Sequence, residues 1–324
     1  MRARPRRARP LLTLASATAV ALVVVAVAEA NVTATANSSP ISPNPSQDRQ
    51  RAEQKPLGYL VKSMPTPDQA DPGPSVAATN DLAGAQERIQ QATDAAAANG
   101  ATIDVAILDR STGQLLTNGN TQMIATASVA KLFIADDLLA QEAQGRTTLA
   151  PDDRQAIDVM LRSSDDGAAE RFWRRDGGSA IITGIAARYG LSATEPPNDG
   201  HWWNTLTTAS DLVRYYDMLL SGTGGLPQDQ ASIILDDLAH STPSGTDGYP
   251  QRFGIPDGLY AETVAVKQGW MCCVGPSWVH LSTGVIGPDR RYIMVIESQQ
   301  AADDATARDT ITRAVKTIFP EGRV

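Results

Sequence analysis

The chain has 324 residues, 42% of them apolar, which is enough for one large or two small globular domains with a hydrophobic core. Its formal net charge is -8, and the excess of basic residues is confined to the first ten positions. This distribution offers no basic surface for a nucleic-acid partner.

The first 30 residues have the layout of a secretory signal. Five arginines precede an apolar run over residues 11–28, and a small-residue triplet at 28–30 follows it. We therefore expect an extracytoplasmic location, either secreted or associated with the cell envelope. Two alternatives stay open: a twin-arginine signal at Arg6-Arg7, and an uncleaved membrane anchor, since the run approaches the roughly 20 residues that span a bilayer. No cysteine adjoins the run, so we do not expect a lipid-modified cysteine there.

Residues 31–79 form a segment rich in Pro, Ser, Asn, Gln and Asp. Such a composition buries too little apolar surface to offset the entropy of ordering the chain. We expect a disordered linker here, followed by one folded domain over residues 80–324.

The strand patterns of the folded domain lie near its two ends, next to the first and last helical patterns. A helical pattern at 81–98 precedes a β-rich run at 102–109 and a second strand near Leu115. Further helical patterns cover 128–144, 151–162, 166–190, 207–221 and 302–318, and further strand patterns cover 262–267, 277–286 and 291–297. Helices inserted between two hairpin-forming ends favour an α+β fold with an antiparallel sheet.

The start of the 128–144 helix carries the first candidate for chemistry. Ser128 and Lys131 are three positions apart, so their side chains project from the same face of the helix. A helix N-terminus stabilises a developing alkoxide, and a lysine whose pKa is lowered by burial can accept the hydroxyl proton. Alone, this spacing is also common on surface helices, where the two side chains are simply solvated.

Two later motifs strengthen the prediction. Ser164-Asp165-Asp166 follows in a loop between helices, and Lys267-Gln268-Gly269 ends a strand pattern. An SxxK motif followed by SDN-like and KTG-like triplets is the signature of class A β-lactamases and penicillin-binding proteins. The chain resembles this superfamily from about residue 82 to residue 318. The interval between the first two motifs is shorter than in class A enzymes, so we expect a loop beside the cleft to be missing.

The resemblance implies a β-lactamase/transpeptidase-like fold: an antiparallel sheet of about five strands, helices on both faces, and an all-helical subdomain. It implies a serine hydrolase that forms an acyl-enzyme with a β-lactam or with cell-wall peptide amides or esters. The alternative is a catalytically degenerate member that acts as a binding protein of the cell envelope.

The resemblance also assigns roles to individual residues. Ser128 would be the nucleophile, Lys131 its proton acceptor, Ser164 the proton relay to the leaving group and Lys267 the source of positive potential. The backbone N–H groups of Ser128 and Trp270 would form the oxyanion hole.

The segment before residue 207 resembles the Ω loop that carries the deacylating base. Glu195, followed by Pro196, would be that base, although Asp199 competes for the role. Trp202 and Trp203 are expected to anchor the loop by burial.

Substrate contacts are expected from Asp166, Gln268, Gly269 and Trp270, and here the sequence departs from the superfamily. Asp166 replaces an asparagine, and an ionised carboxylate accepts hydrogen bonds without donating any. Gln268 replaces a hydroxyl residue that commonly helps to bind the β-lactam carboxylate, and Trp270 is bulky for the mouth of an oxyanion hole. We therefore expect penicillin to be a poor substrate.

No metal or other cofactor is expected, because the three histidines His201, His240 and His280 lack ligand spacing. The two cysteines, Cys272 and Cys273, are adjacent. A vicinal disulfide, two free thiols and intermolecular pairing all remain open from the sequence.

Overall fold

The computed structural model describes residues 82–324. The predicted signal over residues 1–30, the predicted linker over residues 31–79 and the boundary at residue 80 lie outside these residues. Within residues 82–324, no helix is long and apolar enough to cross a membrane.

The helices and strands that the patterns predict occur in the predicted order, and the structure adds two helices (Gln228–Ala239 and Ile255–Gly258) and two short strands (Ile124–Ala125 and Leu206–Thr207). The chain runs through α1 (Ala85–Ala98), β1 (Ala101–Asp109), β2 (Gln114–Thr117), β3 (Ile124–Ala125), a 3₁₀ turn (Ala127–Val129), α2 (Ala130–Ala143), α3 (Pro151–Arg162), α4 (Asp166–Asp176) and α5 (Ser179–Tyr189). It continues through a second 3₁₀ turn (Trp202–Asn204), β4 (Leu206–Thr207), α6 (Ala209–Ser221), α7 (Gln228–Ala239), α8 (Ile255–Gly258), β5 (Val264–Val274), β6 (Ser277–Ile286), β7 (Tyr292–Gln300) and α9 (Asp304–Ile318).

The main sheet has five antiparallel strands in the order β2-β1-β7-β6-β5. It joins β1, from the start of the domain, to β7, near its end. A short second sheet pairs β3 with β4. The prediction of an α+β fold with a five-stranded antiparallel sheet is confirmed.

Alternate residues of each strand supply two separate cores. Ile103, Val105 and Ile107 of β1 enter the core that includes residues of α1 and α9, whereas Ala106 enters the core shared with α2 to α7. This is the two-residue period of a strand that is covered on both faces. Helices therefore cover both sides of the sheet, and the helical part of the chain lies on the side of β5 that carries Lys267.

One predicted helix is divided in two. The pattern over 166–190 contains Gly177 and Gly178, which adopt φ values of 119° and 58°. Gly177 caps the C-terminus of α4 in a left-handed conformation that glycine adopts without a Cβ clash.

A buried polar cluster holds α2, the helix that carries Lys131. The carboxylate of Asp136 is fully buried and accepts hydrogen bonds from Arg188, Tyr189 and Tyr215. Because these partners come from α5 and α6, one side chain of α2 fixes this helix to two neighbours. Burial raises the pKa of Asp136, and the Arg188 guanidinium opposes that rise.

Candidate active site

Ser128 lies in the 3₁₀ turn that leads into α2, and its residue surface is 6% exposed. The preceding residue, Ala127, has a φ of 45°. A non-glycine residue in this region stores backbone strain of order 1–3 kcal/mol, and such residues cluster at functional sites. The sharp turn places the serine beside the helix N-terminus and beside β5.

Lys131 connects three of the predicted residues. Its Nζ donates to Ser128 Oγ at 2.9 Å, to the Ser164 carbonyl at 2.6 Å and to Asp166 Oδ1 at 2.6 Å. A longer contact of 3.2 Å joins the same Nζ to Ser164 Oγ. The structure thus brings the SxxK and SDN-like motifs together around one buried ammonium group.

Lys267 completes the cluster from β5. Its Nζ donates to Ser164 Oγ at 2.9 Å and to the Gln268 carbonyl at 2.9 Å. Ser164 therefore lies between two lysines, and its own φ of 55° is a second strained backbone position. Oxygen and nitrogen atoms form a continuous chain from Ser128 through Lys131 and Ser164 to Lys267.

Burial weakens the charged form of both lysines. It lowers the pKa of Lys131, while the Asp166 carboxylate beside it opposes this change. Burial, and then the proximity of Lys131, hold the pKa of Lys267 well below its ordinary value. An amine with a lowered pKa is the form of lysine that can take a proton from a serine hydroxyl.

Gly269 allows β5 to approach Ser128. A Cβ at this position would lie 2.7 Å from the Thr126 carbonyl oxygen and 3.2 Å from a Val129 methyl group. Glycine is therefore required where the strand packs against the turn that contains Ser128. The resemblance assigned Gly269 to substrate contact, and the structure places it in this close backbone packing.

Trp270 follows on the same strand and lines the cavity above Ser128. Its indole stacks on Tyr249, with ring centroids 4.6 Å apart and an interplanar angle of 9°. The bulk of Trp270 is thereby held against the loop between α7 and α8.

Gln268 is not brought to the cleft. Its side chain is buried, and its Nε2 donates to the backbone carbonyls of Gln251 and Phe253. Consecutive residues of a strand point to opposite faces, so Gln268 faces away from the side that carries Lys267. The structure gives no support to the prediction that its side chain binds substrate.

Glu195 is not brought to the cluster either. It is exposed, and its backbone forms an isolated bridge with Leu206. Asp199 is also exposed and bonds within its own loop, to the His201 N–H and the Asn204 amide. Among the described residues, no carboxylate of this loop lines the cavity that contains Ser128.

Trp202 is the side chain of this loop that reaches the cluster. It is 2% exposed, and its ring centroid lies 4.8 Å from Lys131 Nζ. Burial of Trp202 agrees with its expected anchoring role, but no pattern in the sequence indicates that the indole contacts the lysine. An indole ring of this loop, and not one of its carboxylates, therefore contacts Lys131.

A cavity of about 240 Å³ opens onto Ser128. Its wall combines two aspartates, three tryptophans, an alanine and a methionine with the serine itself; those that matter below are Asp166, Asp247, Trp202, Trp203 and Trp270. Asp247 was not a sequence candidate, because it comes from a loop without a motif. A larger cavity of about 380 Å³, which Asp199 helps to line, contains none of the residues that contact Lys131 or Lys267.

The cysteines and histidines lie apart from these contacts. Cys272 and Cys273 form a vicinal disulfide near the end of β5, which selects one of the three alternatives left open above. His280 is buried against Tyr249, whereas His201 and His240 are exposed. Within residues 82–324, no group of three or more metal-binding side chains is arranged to hold an ion.

Comparison with solved structures shows the same fold. A β-lactamase from Chitinophaga pinensis superposes with a TM-score of 0.59 and 14% identity, over 73% of this chain and 100% of that one. PBP-A superposes with a TM-score of 0.61 and 20% identity, over 74% of this chain and 96% of that one. The predicted β-lactamase-like fold is thereby confirmed.

Comparison of sequences identifies much nearer relatives. No family model matches the chain. A Mycobacterium tuberculosis protein with the name "Putative lipoprotein LppW" is 73% identical over 237 residues, which span 73% of this chain and 76% of that protein. The protein of the same name from Mycobacterium bovis matches equally. The chain therefore belongs to the LppW family, and the fold of its described residues is that of the serine β-lactamases and penicillin-binding proteins.

Proposed function

We propose that the protein is a serine acyl-enzyme former that acts on an ester or amide, with Ser128 as the nucleophile. The observation that carries this proposal is the 2.9 Å contact between Ser128 Oγ and the buried Nζ of Lys131. A nucleophile within hydrogen-bond reach of a base, with that base oriented by further groups, is the arrangement of nucleophilic catalysis. Here the orienting groups are Ser164 and Asp166.

The proton path follows the contacts. Neutral Lys131 takes the Ser128 proton as Oγ attacks the carbonyl carbon, and Ser164 delivers a proton to the leaving group while Lys267 supports its hydroxyl oxygen. The backbone N–H groups of Ser128 and Trp270 would stabilise the oxyanion, and one such donor is worth about 3–4 kcal/mol in comparable sites.

Hydrolysis of the acyl-enzyme has no assigned base. Glu195 and Asp199 are exposed and do not line the cavity, while Trp202 packs against Lys131. Activation of a water molecule needs a base within about one hydrogen bond of it. We therefore propose that acylation outpaces deacylation and that the covalent intermediate accumulates.

We place this chemistry outside the cytoplasmic membrane. The N-terminal pattern predicts export, and the 73%-identical relatives carry the word lipoprotein in their names. In this chain both cysteines lie at positions 272 and 273, so envelope attachment would use the apolar run at 11–28. Substrates available there include β-lactams and cell-wall peptides. One solved PBP-A structure is of an acyl-enzyme with penicillin G.

The test is intact-mass analysis after incubation with labelled penicillin and, separately, with activated aryl esters. We expect a mass increase equal to the acyl group, absent in Ser128→Ala and retained in the control Ser192→Ala, whose serine is exposed and away from the cavity. An adduct that survives Ser128→Ala, or that maps to Cys272 or Cys273, would show that the nucleophile is wrong.

The lack of an assigned base for deacylation also favours a second function, that of a non-catalytic binding protein of the cell envelope. Asp166, which replaces the usual amide donor, and Gln268, turned away from the cleft, also favour it. In this case cell-wall peptide would bind wild type and Ser128→Ala with equal affinity, and no ester would label the protein.

A further inference from the structure

The wall of the Ser128 cavity is acidic. Asp166 and Asp247 line it, and among the described residues that line it there is no lysine, arginine or histidine. The nearby lysines, Lys131 and Lys267, are buried beneath this wall. A ligand that enters the cavity therefore meets two carboxylates first, and the potential in such a cleft favours a cation.

Asp247 is held in position by its own loop. Its Oδ1 accepts the Tyr249 N–H at 2.9 Å, and Gly245 N–H donates to the Tyr249 carbonyl at 2.8 Å. The Thr246 N–H donates to the Ser163 carbonyl at 2.8 Å, which attaches the loop next to Ser164. The charge of Asp247 favours the protonated form of both Lys131 and Lys267, so the carboxylate lies within electrostatic range of both amines.

The tryptophans add a surface suited to cations. Three of the five tryptophans of the chain line this one cavity. Trp202 already packs against the Lys131 ammonium, and its own buried indole N–H has no hydrogen-bond partner among the described residues. Indole faces attract ammonium groups, and an unpartnered buried donor can be satisfied by a ligand carbonyl oxygen.

We infer that the acyl donor of Ser128 carries a positive charge: an ester or amide with an ammonium group, held by Asp247 beside the three tryptophans that line the cavity. This inference rests on the proposed nucleophile and adds the substrate class. A donor with a carboxylate group, such as a penicillin, is repelled by Asp166 and Asp247 at the same wall. Gln268 does not offset this repulsion, because its side chain donates to backbone carbonyls away from the cleft.

The experiment compares three p-nitrophenyl esters of similar length: 4-(trimethylammonio)butyrate, its neutral isostere 5,5-dimethylhexanoate, and the monoester of glutarate. In each reaction the bond from Ser128 Oγ to the acyl carbon forms and the bond to nitrophenolate breaks. The serine proton is released through Lys131. The second-order rate of the nitrophenolate burst is measured at low salt and at 0.5 M NaCl, a condition that shortens electrostatic range to roughly 4 Å.

We expect the cationic ester to react at least about fivefold faster than the neutral one, and the anionic ester to react slowest. Asp247→Asn should reduce the cationic-to-neutral ratio, and the asparagine oxygen can still accept the Tyr249 N–H. Asp94→Asn on α1, across the sheet, is the matched control and should keep the wild-type ratio.

The outcomes separate the two proposals. If all three esters label Ser128 and the neutral ester reacts as fast as the cationic one, the inferred substrate class is wrong and the nucleophile stands. If no ester labels Ser128, the proposed function fails and the inference fails with it. A cationic preference that Asp247→Asn leaves intact would overturn the role of Asp247. If this variant does not fold, the wild-type ratio at low salt and at 0.5 M NaCl still tests the substrate class, which is wrong if the cationic and neutral esters react equally fast at low salt.

Discussion

Lys131 and Asp166 form an ion pair across the boundary between protein interior and solvent, with 2.6 Å between Nζ and Oδ1. The lysine side chain is 0% exposed, and the aspartate side chain is 70% exposed. Burial lowers the lysine pKa, and the carboxylate raises it. In the proposed mechanism, the balance between these two effects sets the fraction of neutral Lys131 that can accept the Ser128 proton.

Asp166→Asn should therefore accelerate acylation at pH 7. Loss of the carboxylate lowers the Lys131 pKa, and each unit of decrease raises the neutral fraction about tenfold as long as most of the lysine is protonated. Stopped-flow acylation from pH 6 to 10 should show the rising limb of the profile at lower pH than in wild type. An unshifted profile, equal to that of the control Asp94→Asn, would show that the charge of Asp166 does not restrain the site.

Glu195→Gln and Asp199→Asn should leave the lifetime of the acyl-enzyme within about twofold of wild type, because neither carboxylate lines the Ser128 cavity. A base that activates the hydrolytic water contributes typically about 10²–10⁴-fold, so its loss would be obvious. The measurement is decay of the acylated mass after removal of excess reagent. A tenfold longer lifetime in Glu195→Gln would restore this residue as the deacylating base.

Gly269→Ala should destabilise the protein and slow acylation together. The added Cβ would meet the Thr126 carbonyl oxygen at 2.7 Å, and overpacking of this kind costs about 1–3 kcal/mol. The turn around Ser128 would have to move away from β5. Gly184→Ala in α5 is the control, since open space surrounds that position and alanine is the better helix former. Equal acylation rates in the two variants would contradict the packing role of Gly269.

Glu297→Gln should stabilise the protein at pH 8 and change little at pH 4. Both carboxylate oxygens of Glu297 are buried without a partner among the described residues, and Asp104 lies opposite on β1. Burial raises the pKa of Glu297 well above its ordinary value and that of Asp104 to about 6. The folded state therefore holds protons on these two carboxyl groups that the unfolded state releases near pH 4. The free energy of unfolding consequently falls as pH rises from about 4 through the raised pKa values of the folded state.

At pH 8 we expect Glu297→Gln to raise the free energy of unfolding by about 1–3 kcal/mol, the usual effect of removing an unpaired buried charge. For a domain of this size each kcal/mol corresponds to about 2–4 °C in Tm. Thermal melts of both forms from pH 4 to 8 test it. A melting difference that stays constant across this range would contradict titration of Glu297.

The cluster around Lys131 could be predicted partly from local geometry and partly from the resemblance, since the contacts of Ser164 with Lys131 and Lys267 span 33 and 103 positions. Ser128 and Lys131 meet across one helical turn, and the Lys267 motif lies within β5, which extends beyond the end of the predicted strand at 267. The orientation of Gln268 was also within reach, since strand alternation separates it from Lys267. The resemblance implies a substrate role for Gln268, whose side chain lies on the opposite face of β5 and donates to backbone carbonyls.

The contributions of loops could not be predicted in the same way. Trp202 packs against Lys131 and Asp247 lines the cavity because of the paths of two irregular segments, which have no periodicity to read. The glutamate-proline pair at 195–196 resembles the pair found in the Ω loop, but Glu195 lies on the exposed side of its loop. Similarity to the Ω-loop sequence was therefore not enough to predict where the Glu195 carboxylate lies.

The pairing of β1 with β7 also has a consequence for how the protein acquires its structure. Ala101 pairs with Gln300 and Asp109 with Tyr292, so the central strands of the sheet come from opposite ends of the domain. Contacts between residues so far apart in sequence cannot form until both strands have been synthesised. They also slow folding, because closing a long loop costs entropy. An emerging chain is then unable to complete its sheet until β7 is synthesised. In the proposed export, a secretion channel that threads unfolded chains would therefore meet this domain before its sheet is complete.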